Sequence, residues 1–281
     1  MTQIFELINS GSLQLKDNNI TSHILDSEIL LAKTLNKKRE EILINLDKEV
    51  SKKKIQYFKK LILRRSLSEP IAYILKEKEF WSKNYYVNKN TLIPRPETEL
   101  MVEKIISYFK NKKINIVDIG TGTGCILLSI LSELKSSKGV GVDICQNAIK
   151  IAIKNSFKHN LSHKVKFYKK SFTEIYNSKF DLVVSNPPYI RKNELKNLKE
   201  DIKTFEPKLA LDGGNDGLDV IKKVIYKSNE ILKRKGMLAL EIGNEQHKKV
   251  SIILKQNKFR IKFLVKDYKD NIRSIISIKV S

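Results

Sequence analysis

Cysteine is nearly absent: Cys125 and Cys145 are the only two in 281 residues. That excludes a disulfide framework, and their separation excludes a C-x-x-C motif or a cysteine zinc site. Histidine is as scarce. His23, His159, His163 and His247 stand at no metal-ligand spacing, so no metal is expected. No apolar run approaches the length of a membrane span, and Met1-Thr-Gln-Ile-Phe-Glu6 lacks a charged segment followed by an apolar core. No membrane association is expected, and a cytoplasmic location is. Acidic residues are in short supply, 31 Asp and Glu against 54 Lys and Arg, which leaves a formal charge of +23. Such a balance ordinarily points to a nucleic-acid or acidic partner. Here the excess is nearly all lysine, in a chain also rich in Ile and Asn, a pattern that A/T-rich codon usage produces by itself. A solvated surface and a basic docking face both remain open. No Ser/His/Asp or Cys/His arrangement can be assembled, so covalent catalysis is not expected.

What is present has clear punctuation. Residues 1–75 read as helical throughout: Ile20, Ile24, Ser27, Leu30, Leu31 and Leu35 recur at helical spacing after a possible cap at Thr21 or Ser22. A second helix is expected from Val50 to about Leu67, with a lysine-rich outer face. Residues 76–93, with Phe80, Trp81, Tyr85 and Tyr86, read as a β-hairpin linker. The third part, 94–281, opens on Pro94-Arg95-Pro96-Glu97-Thr98-Glu99, where Pro96 suits a helix start. Strand, glycine-rich turn and helix follow in Ile114–Asp118, Gly120-Thr121-Gly122-Thr123-Gly124 and Ile126–Leu134. The glycines let the backbone approach a ligand, and the helix N-terminus offers free N–H groups. A second strand, Gly139–Asp143, ends in an acid about 20 residues on, where a carboxylate can accept both ribose hydroxyls of an adenosine ligand. The remainder alternates helix and strand as a doubly wound sheet does, with an irregular polar stretch over 191–215 and a closing antiparallel pair, Phe259–Val265 and Ile272–Ile278.

The most informative stretch is Phe180-Asp-Leu-Val-Val-Ser-Asn186-Pro187-Pro188-Tyr189. Its strand stops at Asn186 because neither proline can donate a ladder hydrogen bond. The stop therefore falls at a strand's carboxyl end, where open α/β sheets place their ligands. The Asn186 oxygen and a carbonyl of the stiff Pro-Pro segment can hold both N–H bonds of a planar –NH2 group, with Tyr189 as a flat wall. The glycine loop alone would also suit a nicotinamide dinucleotide. Hydride transfer, however, has no use for such acceptors, whereas an adenosyl-sulfonium donor needs its nucleophile held about 3 Å from the methyl carbon. A base methyltransferase would share this site but would bring a nucleic-acid recognition module, and none is legible. A non-catalytic ribosome- or nucleic-acid-binding module would have no use for an intact Asn186–Tyr189 set.

These residues resemble the peptide chain release factor N5-glutamine methyltransferases (PrmC/HemK), over nearly the whole chain. The blocks are Glu69-Pro-Ile-Ala-Tyr73, Glu79-Phe-Trp81, Leu92-Ile-Pro-Arg-Pro-Glu-Thr-Glu99, Asp118–Gly124, Ser185–Ile190 and Phe205-Glu-Pro207 with Ala210-Leu211, Gly213-Gly214 and Gly217-Leu218. The resemblance implies a Rossmann-like seven-stranded methyltransferase domain of α/β class, preceded by a small helical substrate-docking domain. It implies S-adenosylmethionine as cofactor and class-1 release factors as partners, methylated on the glutamine of their Gly-Gly-Gln motif, with no stable nucleic-acid partner. Gly120, Thr121, Gly122, Thr123, Gly124, Asp143, Ser171, Phe172 and Asn186 would hold the donor. Asn186, Pro187, Pro188 and Tyr189 would hold the glutamine amide, with Asn186, Pro187 and Tyr189 in catalytic roles. Two departures stand out. Lys170 and Ser171 replace an Asp and a Trp, leaving Phe172 to meet adenine, and Lys76 sits where glycine is common.

Overall fold

Leu182, Val183 and Val184 are adjacent in sequence and all buried, which a strand permits only where both faces of its sheet are covered. A computed structural model describes residues 2–176 and 179–280. By contacts the chain divides into two units, Met1–Glu77 with Lys199–Phe205, and Lys78–Leu198 with Glu206–Ser281. None of the described helices is long and apolar enough to cross a membrane.

The first unit is not helical throughout. A two-residue strand, β1 (Thr2–Gln3), pairs antiparallel with β2 (Glu49–Val50), a ladder too short to show any period. The helices are α1 (Ile4–Asp17), α2 (His23–Leu35), α3 (Arg39–Leu43), α4 (Lys52–Ser66) and α5 (Ile71–Leu75). Ile4, Leu7, Ile8 and Leu15 form one stripe of α1 and share a core with Leu30, Leu31, Phe58 and Ile62. Ser22 is the N-cap of α2, yet its hydroxyl donates to Asp26 at 2.9 Å instead of accepting from a backbone amide. Asp26 also takes Arg65 of α4 at 2.7 Å. Because both side chains are buried, removing either would strand a charge. Lys76 ends α5 at φ 60°, a left-handed position that glycine occupies without strain.

In the second unit β3 (Glu77–Phe80) pairs with β4 (Lys83–Tyr86). Asn155 fixes this hairpin: Oδ1 accepts the Tyr86 amide at 2.7 Å, while Nδ2 donates to the carbonyls of Tyr86 and Thr123 at 3.0 and 2.9 Å. Then come α6 (Pro96–Phe109), β5 (Asn115–Ile119), α7 (Cys125–Glu133), β6 (Lys138–Asp143), α8 (Gln146–Lys158), β7 (Val165–Lys169) and β8 (Phe180–Ser185). The stretch 191–215 is more ordered than its composition suggests. It holds α9 (Glu200–Phe205), which belongs to the first unit, between 3-10 turns at Leu195–Asn197 and Lys208–Ala210 of the second. None of these short pieces buries a residue, so none carries an apolar period. The chain closes with α10 (Asp219–Ile231), β9 (Leu232–Glu241), α11 (His247–Gln256), β10 (Phe259–Lys266) and β11 (Ile272–Lys279).

The seven strands lie in the order β10-β11-β9-β8-β5-β6-β7. From β9 to β7 all run parallel, and β11 is antiparallel to both β9 and β10. Alternate strand residues feed opposite cores. Ile116, Leu182, Val184 and Ala239 pack with Met101 and Ile105 of α6 and Leu127 and Ile130 of α7. Val117, Val183, Leu238 and Leu240 pack with Ile221 and Val224 of α10 and Val250 of α11. Each such side chain is worth about 1.5–3 kcal/mol of burial, and a one-residue slip would exchange the two cores. The order reverses between β5 and β8, so a crevice opens beyond their carboxyl ends.

Candidate active site

The turn after β5 cannot be built from ordinary residues. Gly122 sits at φ 54°, where an L side chain is strained, and its amide donates to Asp143 Oδ2 at 3.0 Å. Gly120 and Thr121 both donate to the Val142 carbonyl, at 2.9 and 3.0 Å. Asp143 Oδ1 accepts the Cys145 amide at 2.8 Å. Each carboxylate oxygen thus has a backbone donor, and the Ile144 amide acts on the same carboxylate. Burial raises the Asp143 pKa, opposed by the Cys145 and Gly122 amides.

Asp118, at the other end of this turn, is buried and accepts the Thr121 hydroxyl at 2.7 Å. Burial pushes its carboxyl from 3.8 up to about 7; the Thr121 bond opposes the shift and the charge of Asp143 adds to it. A raised carboxyl favours folding at low pH, and that contribution is lost as pH rises from about 4 to about 7. Asp118→Asn should therefore gain about 2–3 kcal/mol on wild type between pH 5 and pH 8. Denaturant unfolding of the ligand-free proteins at both pH values checks this, and a pH-independent difference would contradict it.

Beyond β8 the Ser185 hydroxyl donates to the Ile119 carbonyl at 2.8 Å, locking the two site-bearing strands together. Asn186, Pro187 and Pro188 then run under the 212–217 loop. Ile190 donates to the Leu211 carbonyl at 3.1 Å, and Gly213 donates to the Ile190 carbonyl at 2.8 Å. Gly213 has to be glycine for space: a Cβ there would lie 2.8 Å from Tyr189 Cα and 2.9 Å from the Pro188 carbonyl oxygen. Gln246 completes the clamp by donating to the Tyr189 carbonyl at 3.0 Å.

These pieces surround a cavity of about 460 Å³, within the range of about 300–1,000 Å³ usual for small-molecule sites. Gly120, Thr121, Gly122, Thr123, Asp143, Ser171, Phe172, Asn186, Pro187 and Pro188 all line it. Gly124 and Tyr189 are not among its lining residues. Gly124 caps α7, and the Tyr189 hydroxyl donates to the buried Glu241 at 3.3 Å. Ser171 caps the short turn after β7 by accepting the Thr173 amide at 3.3 Å. Several other residues line the cavity without a site role legible in the sequence, among them Leu92, Pro94, Arg95, Thr98, Ile144, Cys145 and Lys223. The Leu92-Ile-Pro-Arg-Pro-Glu-Thr-Glu99 block is conspicuous enough to find the first four. Its place follows from Arg95 and the Ile93 amide, which bond the buried Glu206 carboxylate at 2.5 and 3.2 Å. Lys223 has no local signal; only the packing of α10 brings it in.

A family profile described as "PrmC N-terminal domain" matches residues 6–75, and one described as "Methyltransferase small domain" matches 96–206. The chain is 43% identical to a "Release factor glutamine methyltransferase" of Buchnera aphidicola subsp. Schizaphis graminum, over 87% of each chain. It is 36% identical to one of the same name from Fusobacterium nucleatum, covering 98% of this chain and 78% of the relative. Among solved structures it resembles the "hMettl16 catalytic domain in complex with MAT2A 3'UTR hairpin 6", with TM-score 0.56 and 15% identity over 79% of this chain and 84% of that one. It also resembles a "Methyltransferase from Pyrococcus furiosus", with TM-score 0.53 and 15% identity over 70% and 89%.

Proposed function

The chain belongs to the release factor glutamine methyltransferase family, and from that premise we propose the reaction in full. It transfers the methyl group of S-adenosylmethionine to the side-chain amide nitrogen of the glutamine in the Gly-Gly-Gln motif of class-1 release factors. The observation that carries this reading is one cavity bordered at the same time by the glycine turn with Asp143 and by Asn186-Pro187-Pro188.

The lining suits the donor's chemistry. The Asp143 carboxylate at the cavity edge suits a ribose diol, and the close backbone of the glycine turn with the walls of Ile144 and Phe172 suits an adenosine. When bound, S-adenosylmethionine supplies an electrophilic methyl carbon. The chain's own residues do the rest. In this reading the Asn186 oxygen and the Pro187 carbonyl accept the two N–H bonds of the glutamine amide, holding its plane and raising electron density on nitrogen. As the C–N bond forms and the donor's S–CH3 bond breaks, leaving a neutral thioether, positive charge develops on nitrogen and strengthens those same bonds until one N–H proton passes to solvent. The site therefore favours the transition state over the ground state. The N–H proton becomes acidic only at that stage, so no strong general base is needed. The glutamine must be presented with its plane set, and the Gly213 and Gln246 contacts hold the Pro188-Tyr189 backbone stiff for that purpose.

The test is transfer of labelled methyl from S-adenosylmethionine to purified release factor, beside a Gln→Ala version of its Gly-Gly-Gln motif, with DNA and ribosomal RNA as parallel acceptors. Label on the intact factor alone is expected. Label on nucleic acid alone, or on the Gln→Ala factor equally, overturns the reading.

A further inference from the structure

Asn186 serves an incoming N–H only if its oxygen, not its –NH2, faces the cavity. The two ends of a carboxamide have nearly the same shape, so a neighbour must choose between them. Glu241, the last residue of β9, is 1% exposed and lies close enough to the Asn186 side chain for that side chain to act on it as a donor, holding its pKa down. Its Oε2 accepts the Thr98 hydroxyl at 2.5 Å and its Oε1 the Tyr189 hydroxyl at 3.3 Å. Arg273 donates to the Tyr189 oxygen at 3.2 Å, which leaves the tyrosine proton for Glu241. An ionised carboxylate only accepts. Asn186 must then offer it Nδ2, and Oδ1 turns away from Glu241, toward the cavity that Asn186 lines.

We propose that Glu241 is a positioning residue: as a carboxylate it holds Asn186 with Oδ1 toward the substrate amide. The proposal rests on the methyl-transfer reading above. Arg273, through Tyr189, keeps the chain of donors running in one direction.

Protonation would undo this arrangement. Burial raises the Glu241 pKa, opposed by the Thr98 bond, by Arg273 and by the bonds from Tyr189 and Asn186. The charged and titratable groups facing it are Arg273 on β11, Tyr189 beyond β8 and Cys125 at the start of α7; Arg95 ahead of α6 acts on Tyr189. Burial holds both Tyr189 and Cys125 in their neutral forms, so Glu241, raised above the ordinary carboxylate range by burial, is the acid of this cluster that gains a proton as pH falls. Once protonated it can donate to Asn186 Oδ1 and hold the amide reversed. The turnover contribution is present above the raised pKa and lost as pH falls through it.

The test is kcat for release factor methylation at saturating donor, from about pH 5.5 to 8.5, for wild type, Glu241→Gln, Asn186→Ala and the double variant. Wild type should show an acid limb. Glu241→Gln should lose about tenfold in plateau kcat and the limb itself, with donor Kd unchanged within about twofold, because glutamine can pair with either end of Asn186. In the Asn186→Ala background the limb should be missing and Glu241→Gln should change kcat by less than about twofold. Wild-type kcat in Glu241→Gln, or the same factor lost in both backgrounds, overturns the proposal and leaves methyl transfer standing. If Glu241→Gln fails to bind donor, the wild-type and Asn186→Ala profiles decide, and a limb shared by both overturns it. Wild-type enzyme that labels no release factor defeats the functional reading, and this proposal with it.

Discussion

Asn186→Ala should lower kcat for release factor methylation by about 100-fold or more, the usual loss on removing one pre-organised hydrogen-bond partner at a reacting centre. Donor affinity should stay within about threefold, because in the proposed reading the donor's ribose is held by Asp143, which the Gly122 and Cys145 amides brace independently of Asn186. The surrounding backbone has its own supports in the Ser185–Ile119 bond, the Gly213–Ile190 bond and the Gln246 clamp. A truncated side chain therefore leaves the loop in place. Single-turnover methyl transfer beside calorimetric donor binding separates the two quantities. A near-normal turnover would remove Asn186 from the chemistry. A parallel collapse of donor affinity would show that its main work is to hold the donor.

Asp143→Ala should act on the other quantity. Two hydrogen bonds from ribose hydroxyls to one carboxylate are charge-assisted, and a net loss of about 3 kcal/mol corresponds to about a 100-fold rise in donor Kd. The variant also frees the Gly122 and Cys145 amides from their shared acceptor, so the glycine turn loses a brace as well as a ligand contact. Asp143→Asn keeps one acceptor and should fall between the two. At saturating donor, kcat should recover to within a few-fold of wild type, since the glutamine acceptors are untouched. An affinity unchanged by Asp143→Ala would mean that the ribose is held elsewhere. A kcat loss that excess donor does not rescue would place Asp143 nearer the reacting atoms than this reading allows.

Much of this site was legible before any coordinates. The turn at Gly120–Gly124, the acid at Asp143 and the stop at Asn186-Pro187-Pro188 are each written in fewer than ten consecutive residues. Glycine, proline and apolar runs act on the backbone over that same range. The closing strand pair was legible for the same reason. The errors fell where range or length defeats local signals. β1 and β2 are two residues each and pair across 46 and 48 positions. α9 is six residues without a buried face. β9 begins at Leu232, five residues before the apolar run that marks it, because Leu232 pairs with Phe180 across an irregularity in the ladder.

The sequence by itself determined the parallel sheet, the glycine turn, the strand stop at Asn186 and the family, because each rests on residues that interact with near neighbours. Only the tertiary structure decided what stands behind Asn186. No local pattern in Leu238-Ala-Leu-Glu241 singles out the acid. Folding instead places Glu241 beside Thr98, 143 positions away, and brings Arg273 to Tyr189 across 84. Burial then changes what that carboxylate does. Out of water it must find all its partners in the protein, and the donors it collects come from α6, the end of β8 and, through Tyr189, β11.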